Sequence, residues 1–261
     1  MPKLSWTLAA TMVALAGLLL TPSWASGGSE RTSAALQLHA ELRGAWKTTD
    51  CPADPPAGTT WCFENEAAGL VPGLGRTSQK LTLFVEWQGI ADNFCGYWSS
   101  PDLTLAIAGK GEISMTAKNP VCQHENGTYG SMAFTVTGGS GLYAGATGSG
   151  AVAAHFSGHT DGGNATFDWT GTLTVPSLDF DTAAPALKGA VSKIVRAPKG
   201  ARRVRVRYTV SAHDAVDGSV PVVCKPRSGS WFKLGRTEVT CSATDSSANT
   251  ASARFTITVH R

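Results

Sequence analysis

Leu36-Gln37-Leu38-His39-Ala40-Glu41-Leu42 alternates apolar and polar side chains without a break. This is the pattern of a strand that buries one face and wets the other. The same period recurs at Leu81/Leu83/Val85/Trp87, Leu103/Leu105/Ile107, Met132/Phe134/Val136, Val152/Ala154/Phe156 and Phe167/Trp169/Leu173/Val175. Gly-rich breaks separate the runs, so they read as a meander of antiparallel strands forming a closed barrel or a sandwich. Closure removes the exposed edges that are a liability in a secreted protein. With 42% hydrophobic and 16% charged residues, 29 Gly and 13 Pro in 261 residues, the chain reads as all-β and long enough for two ordinary domains.

Upstream, Lys3 precedes an apolar run from Leu8 to Leu20, with small residues at Ser23 and Ala25. This predicts a secretory signal over residues 1–25, cleaved after Ala25. The competing reading is an uncleaved anchor, although the run is shorter than the ~20 residues a span needs. The expectation is a secreted, extracellular protein with no membrane contact after cleavage. All six cysteines (Cys51, Cys62, Cys95, Cys122, Cys224 and Cys241) follow the signal, and disulfides are expected in that compartment. Nearest-neighbour pairing gives Cys51–Cys62, Cys95–Cys122 and Cys224–Cys241, while the first four also allow two other connectivities. The absence of CxxC spacing argues against zinc held by cysteine.

Charge divides the chain. Residues 26–176 carry a net −6 and residues 177–261 a net +8, with the break at the Pro/Asp/Ala stretch PSLDFDTAAP. That composition predicts a boundary between a first domain, 35–176, and a second, 177–261. Opposite charges also allow a purely structural role in which the two halves hold each other. Much of the positive charge sits in Arg202-Arg203-Val204-Arg205-Val206-Arg207-Tyr208. On a strand, Arg203, Arg205 and Arg207 share one face, opposite Val204, Val206 and Tyr208. A row of guanidinium forks suits an anionic extracellular or cell-wall polymer; the alternative is a solvated strand whose charge discourages edge pairing. Nucleic acid is disfavoured, since the segment lacks interleaved aromatics and a secreted chain rarely meets it.

The stretch Thr135–Gly150, TVTGGSGLYAGATGSG, resembles the GGxGxFxGAxG turn-and-strand of the allene oxide cyclase and dirigent barrels. Gly138, Gly139, Gly141, Tyr143, Gly145, Ala146 and Gly148 carry the resemblance, which covers the last third of the first domain. It implies a barrel, and with it an alternative function: a cyclase or isomerase acting on an apolar small molecule. The segment from Asp50 to Cys122 has no counterpart in that family, so no catalytic residue is assigned. The candidate polar groups (His39, Glu86, Asp92, His124, Glu125, His155 and Asp168) share no motif, and Glu86 and Asp168 both face away from the apolar stripe. Sequons at Asn126 and Asn164 predict exposed loops.

Short alternating runs in the second domain predict a seven-strand immunoglobulin-like sandwich. Its pieces are Asp214-Ala-Val-Asp217-Gly218-Ser219, Val220-Pro-Val-Val-Cys224, Pro226-Arg-Ser-Gly229-Ser-Trp-Phe232, Val239-Thr-Cys241, Ala243-Thr-Asp245 and Phe255-Thr-Ile-Thr-Val259. In order and spacing they resemble a hyalin repeat (HYR) domain, without the further cysteine pair of the animal versions. The resemblance implies extracellular adhesion: a non-catalytic binding protein whose partner is an extracellular polymer or protein. Asp214 and Asp217 beside Gly218 suit a turn in which carboxylates accept backbone N–H groups. A second reading makes Asp181, Asp214, Asp217 and Asp245 converge as oxygen ligands for Ca²⁺ at one end of the sandwich. No other cofactor is expected.

Overall fold

The computed structural model describes residues 35–87, 95–122, 128–159, 161–176 and 178–261. The expected signal lies outside the described residues, as do Asp92, His124, Glu125 and the sequon residue Asn126. The first half contains eight strands: β1 (Leu36–Thr49), β2 (Trp61–Val71), β3 (Gly75–Trp87), β4 (Cys95–Ile107), β5 (Gly111–Cys122), β6 (Thr128–Gly139), β7 (Thr147–His159) and β8 (Gly162–Thr174). Each pairs antiparallel with the next, and β1 pairs with both β2 and β8, so the sheet closes into a barrel. The alternation read above covers six of these staves and passes over β2 and β5.

Eight strands enclose a lumen that side chains can fill, and here apolar side chains fill it. Leu42, Leu83, Val85, Val152 and Phe167 are fully buried. Phe134 packs on Trp169 with ring centroids 5.0 Å apart. The indole Nε1 of Trp169 donates to Gln79 Oε1 at 2.9 Å across the lumen.

The Gly-rich stretch between β6 and β7 turns over one barrel end through a single 3₁₀ turn, Gly141–Tyr143. Gly141 has φ +60°, and a Cβ there would meet Lys110 O at 2.4 Å, so the close crossing requires glycine. It seats Tyr143 in the core, where burial pushes its phenol up to about 12. The opposite end carries the Cys51–Cys62 disulfide, which ties the loop after β1 to β2. Cys95 and Cys122 are backbone partners across β4 and β5. Asn164 is exposed but lies within β8, not in a loop as its sequon predicted.

The second half contains nine short strands: β9 (Ala186–Lys188), β10 (Lys193–Arg196), β11 (Arg203–Arg205), β12 (Ser211–Asp214), β13 (Gly218–Val220), β14 (Val222–Lys225), β15 (Trp231–Lys233), β16 (Gly235–Thr244) and β17 (Thr250–His260). They form a four-stranded sheet β10-β17-β16-β14, a three-stranded sheet β13-β12-β9 and a two-stranded ribbon β11-β15. Strand β10 runs parallel to β17. The architecture is sandwich-like, divided into more and shorter strands than the seven expected. Val206, Tyr208, Phe232, Val239, Cys241, Phe255, Ile257 and Val259 make its core. The Cys224–Cys241 disulfide joins paired strands β14 and β16. The Arg-rich stretch is regular strand only over Arg203–Arg205, but Val206 and Tyr208 beyond it are still buried.

Between the barrel and β9, Leu178 and Phe180 pack against the barrel core, so this stretch is anchored at its barrel end. The β2–β3 turn meets the β16–β17 loop: Gly73 N donates to Ser247 O at 2.8 Å. Gly75, at φ +103°, leaves room for Ser246 O, which a Cβ would meet at 2.3 Å. Among the described residues no ion pair crosses between the halves. The contacts at this junction include a backbone hydrogen bond and apolar packing, and among the described residues the electrostatic embrace considered above finds no ion pair to carry it.

Candidate metal centre and basic face

Asp214 ends β12, and its Oδ1 accepts from the N–H groups of Val216 (2.8 Å) and Asp217 (3.1 Å), closing the turn into β13. Gly218 completes that turn at φ +72°. Asp217 leaves the turn and accepts from Ser246, N to Oδ2 and Oγ to Oδ1, both at 2.8 Å. Asp245 orders the β16–β17 loop, its Oδ1 accepting from Ser247 N (2.9 Å) and Asn249 N (2.8 Å) and its Oδ2 from Asn249 Nδ2 (3.0 Å). The same Asn249 amide donates to Asp181 O at 2.9 Å, drawing in the stretch before β9. Asp181 Oδ1 accepts from Ala183 N at 3.1 Å, while its Oδ2 is buried with no hydrogen-bond partner.

The result is a convergence of four carboxylates. One oxygen from each of Asp181, Asp214, Asp217 and Asp245 lies within 4.8 Å of every other. Two oxygens on one Ca²⁺ lie at most twice the ~2.4 Å Ca–O contact apart, and every pair here meets that condition. Asp214 and Asp245 are only 2% and 9% exposed. Among the described residues none of the four has a Lys, Arg or His partner within 4.0 Å. Burial holds the Asp181 carboxyl above the usual range, opposed by the Ala183 N–H and reinforced by its three acidic neighbours. Asp214 is held low by the N–H groups of Asp217 and Val216, with a small contribution from the neighbouring His213. The turn chemistry expected of Asp214 and Asp217 and the convergence needed for an ion therefore coexist. An ionised carboxylate has about four acceptor sites, and these hydrogen bonds leave capacity on each.

The basic face is built by the β11–β15 ribbon. Arg203 pairs with Lys233, Val204 with Phe232 and Arg205 with Trp231. Val204 and Phe232 face the core, so Arg203, Arg205, Trp231 and Lys233 share the outer face. Both guanidinium groups lie over the Trp231 ring, at 4.9 and 5.5 Å from its centroid. Arg207, also exposed, continues the row, and Lys193 Nζ donates to its carbonyl at 3.3 Å. Sequence reasoning found the arginines and missed Trp231 and Lys233. The aromatic reported absent from this segment comes from the neighbouring strand.

Among the described residues, one pair of the barrel's candidate groups comes together. Asp168 on β8 pairs with His155 on β7 at 3.2 Å on the outer wall, both nearly half exposed. Glu86 on β3 lies against Gly58 of the 50–60 loop. His39 is exposed on β1. Among the described residues these groups do not converge on an apolar pocket, which is the arrangement the cyclase or isomerase alternative needs.

Residues 180–259 match the family model of the HYR domain. The match begins one residue before the first Asp of the centre, ends at the last core valine, and contains both the centre and the ribbon. No curated protein matches the chain. Within the matched residues 180–259 the acidic side chains are gathered: of the five there, four form the centre, and the fifth, Glu238, is 3.7 Å from Arg254. The rest of the module's surface is left basic. Among the described residues no helix is long and apolar enough to cross a membrane.

Proposed function

We propose that this chain is a secreted, non-catalytic binding protein. Its HYR module holds Ca²⁺ at the four-carboxylate centre and turns its basic side to an anionic extracellular or cell-wall polymer. The observation that carries the reading is the convergence of Asp181, Asp214, Asp217 and Asp245 to within 4.8 Å, with one buried oxygen left without a partner. Hard carboxylate oxygens without nitrogen or sulfur donors suit Ca²⁺, and carbonyl or water oxygens complete its six to eight ligands. The β16–β17 loop that supplies Asp245 also bonds the barrel turn at Gly73, so an ion there stiffens the junction of the two halves. Two disulfides and the extracellular character of HYR domains support secretion.

Isothermal titration of the mature protein with CaCl₂ tests the reading. The expected result is one site with Kd of roughly 0.1–1 mM, the range of extracellular modules. Mg²⁺ binds more weakly, because it demands near-ideal octahedral geometry and dehydrates reluctantly. An absence of heat up to about 10 mM Ca²⁺, well above that range, overturns it.

A further inference from the structure

We propose that the outer face of the β11–β15 ribbon is a binding site for an acidic polysaccharide, in which Arg203, Arg205 and Lys233 engage carboxylate or sulfate groups and Trp231 is the platform that orients them. The proposal rests on the reading of the basic side as a polymer contact, and adds the residues and the ligand class.

Register places Arg203 directly opposite Lys233, with Arg205 opposite Trp231. Like charges directly opposite one another weaken a sheet. Here no carboxylate relieves them, since among the described residues neither arginine nor Lys233 has an acidic partner within 4.0 Å. A row of charge that only kept an edge from pairing would need neither the opposed cation nor the indole. Trp231 remains 52% exposed although both guanidinium groups lie over its ring. Stacking holds two long side chains before any ligand arrives, so less freedom is lost when each fork meets an anion. The exposed part of the indole offers an amphipathic surface to the C–H face of a sugar ring. A partner carrying anionic groups beside apolar ring faces matches both features. In an oxidising, extracellular setting, acidic polysaccharide is the polymer of that description.

The test uses the folded mature protein at about 0.1 M NaCl, where the Debye length is about 10 Å. The probes are alginate, dextran sulfate, uncharged dextran and polythymidylate. Binding to alginate or dextran sulfate but not to dextran is expected, with the Arg203→Gln/Arg205→Gln variant weaker by roughly tenfold or more. Trp231→Ala is expected to weaken binding by about threefold or more, while Arg236→Gln/Arg254→Gln, which removes an equal charge elsewhere on exposed side chains, stays within about twofold. Melting temperatures of all variants, whose altered side chains are exposed, confirm that each is folded. Equal losses in the Arg236/Arg254 and ribbon-arginine variants, with none in Trp231→Ala, would show diffuse attraction, overturning the site but not the polymer reading. Tighter binding to polythymidylate than to either acidic polysaccharide overturns the ligand class. Failure of every anionic probe overturns both.

Discussion

Asp181→Asn removes one charge of the proposed metal centre with little change of volume, and two opposite stability changes follow. Without metal, Asp181 is held above the ordinary carboxylate range by burial and by three acidic neighbours. A carboxyl raised in the folded state stabilises the fold while protonated, and that contribution is lost as pH rises through its folded value. In EDTA the native protein therefore loses stability through this group as pH rises through and above the ordinary carboxylate range, and the Asn variant does not. Asp214 works the other way: its backbone N–H partners hold it low, so its contribution is present above the ordinary range and is lost as pH falls. Both proteins share that acid limb, and it cancels from the comparison. At neutral pH in EDTA the variant should melt above the native protein.

With Ca²⁺ the order changes. At about 100 times Kd a single site stabilises by about 2.7 kcal/mol. At roughly 2–4 °C per kcal/mol for a unit of 150–250 residues, the native melting temperature rises by about 5–11 °C. Loss of one of four carboxylate ligands, taken as an affinity loss of about tenfold or more, cuts the gain at the same Ca²⁺ to about 1.4 kcal/mol or less. The variant's rise is then about half the native one or smaller. Scanning calorimetry of both proteins in EDTA and in CaCl₂, at about pH 4 and pH 7, reads both effects. A variant that melts below the native protein in EDTA at neutral pH, or that keeps the full Ca²⁺ rise, refutes the reasoning.

Two further outcomes concern the scaffold. Trp169→Phe removes the donor to Gln79 Oε1 in a lumen where Gln79 Nε2 already has no partner. It should cost about 1–3 kcal/mol in urea denaturation, and adding Gln79→Leu should recover most of that loss. Replacing both Cys224 and Cys241 by Ala opens a loop spanning 17 positions and should cost about 3 kcal/mol; an unchanged urea midpoint would show that the disulfide adds nothing to the module.

Most of the barrel was legible because its lumen is apolar and its walls are wet, which imprints a period of two on the strands. The two staves passed over are those whose inward positions break the code. Strand β2 turns Phe63, Asn65, Ala67 and Val71 inward, a polar and a small residue in the middle of the run. Strand β5 turns Ile113, Met115 and Ala117 inward and then reaches Asn119 and Pro120, which read as a turn. In both cases the neighbours supply the apolar volume: Asn65 lies opposite Leu81, and Ala117 opposite Phe134. Packing density is a property of the filled lumen, so a strand can contribute small side chains where its partners contribute large ones.

The same distinction between local and non-local information separates the two candidate surfaces. Three Asp of the proposed metal centre announce themselves locally, because Asp214, Asp217 and Asp245 sit in segments whose Gly, Ser or Asn neighbours mark a turn, while Asp181 stands in the Pro/Asp/Ala boundary stretch; the turns of a sandwich gather at its ends. Proximity of the four is then a consequence of architecture. The ribbon is different. Its arginines are legible as a row because strand period assigns them one face, but Trp231 and Lys233 lie 28 and 30 positions further along the chain than Arg203. Only register brings them opposite, and a one-residue slip would instead place Phe232 among the guanidinium groups. What holds the register is the burial of Phe232, 1% exposed, beside Val204 and Val206. The core side of this ribbon thus determines the chemistry of its outer side, and a change at Phe232 that loosens register should disturb the arginine–tryptophan stack without touching any member of it.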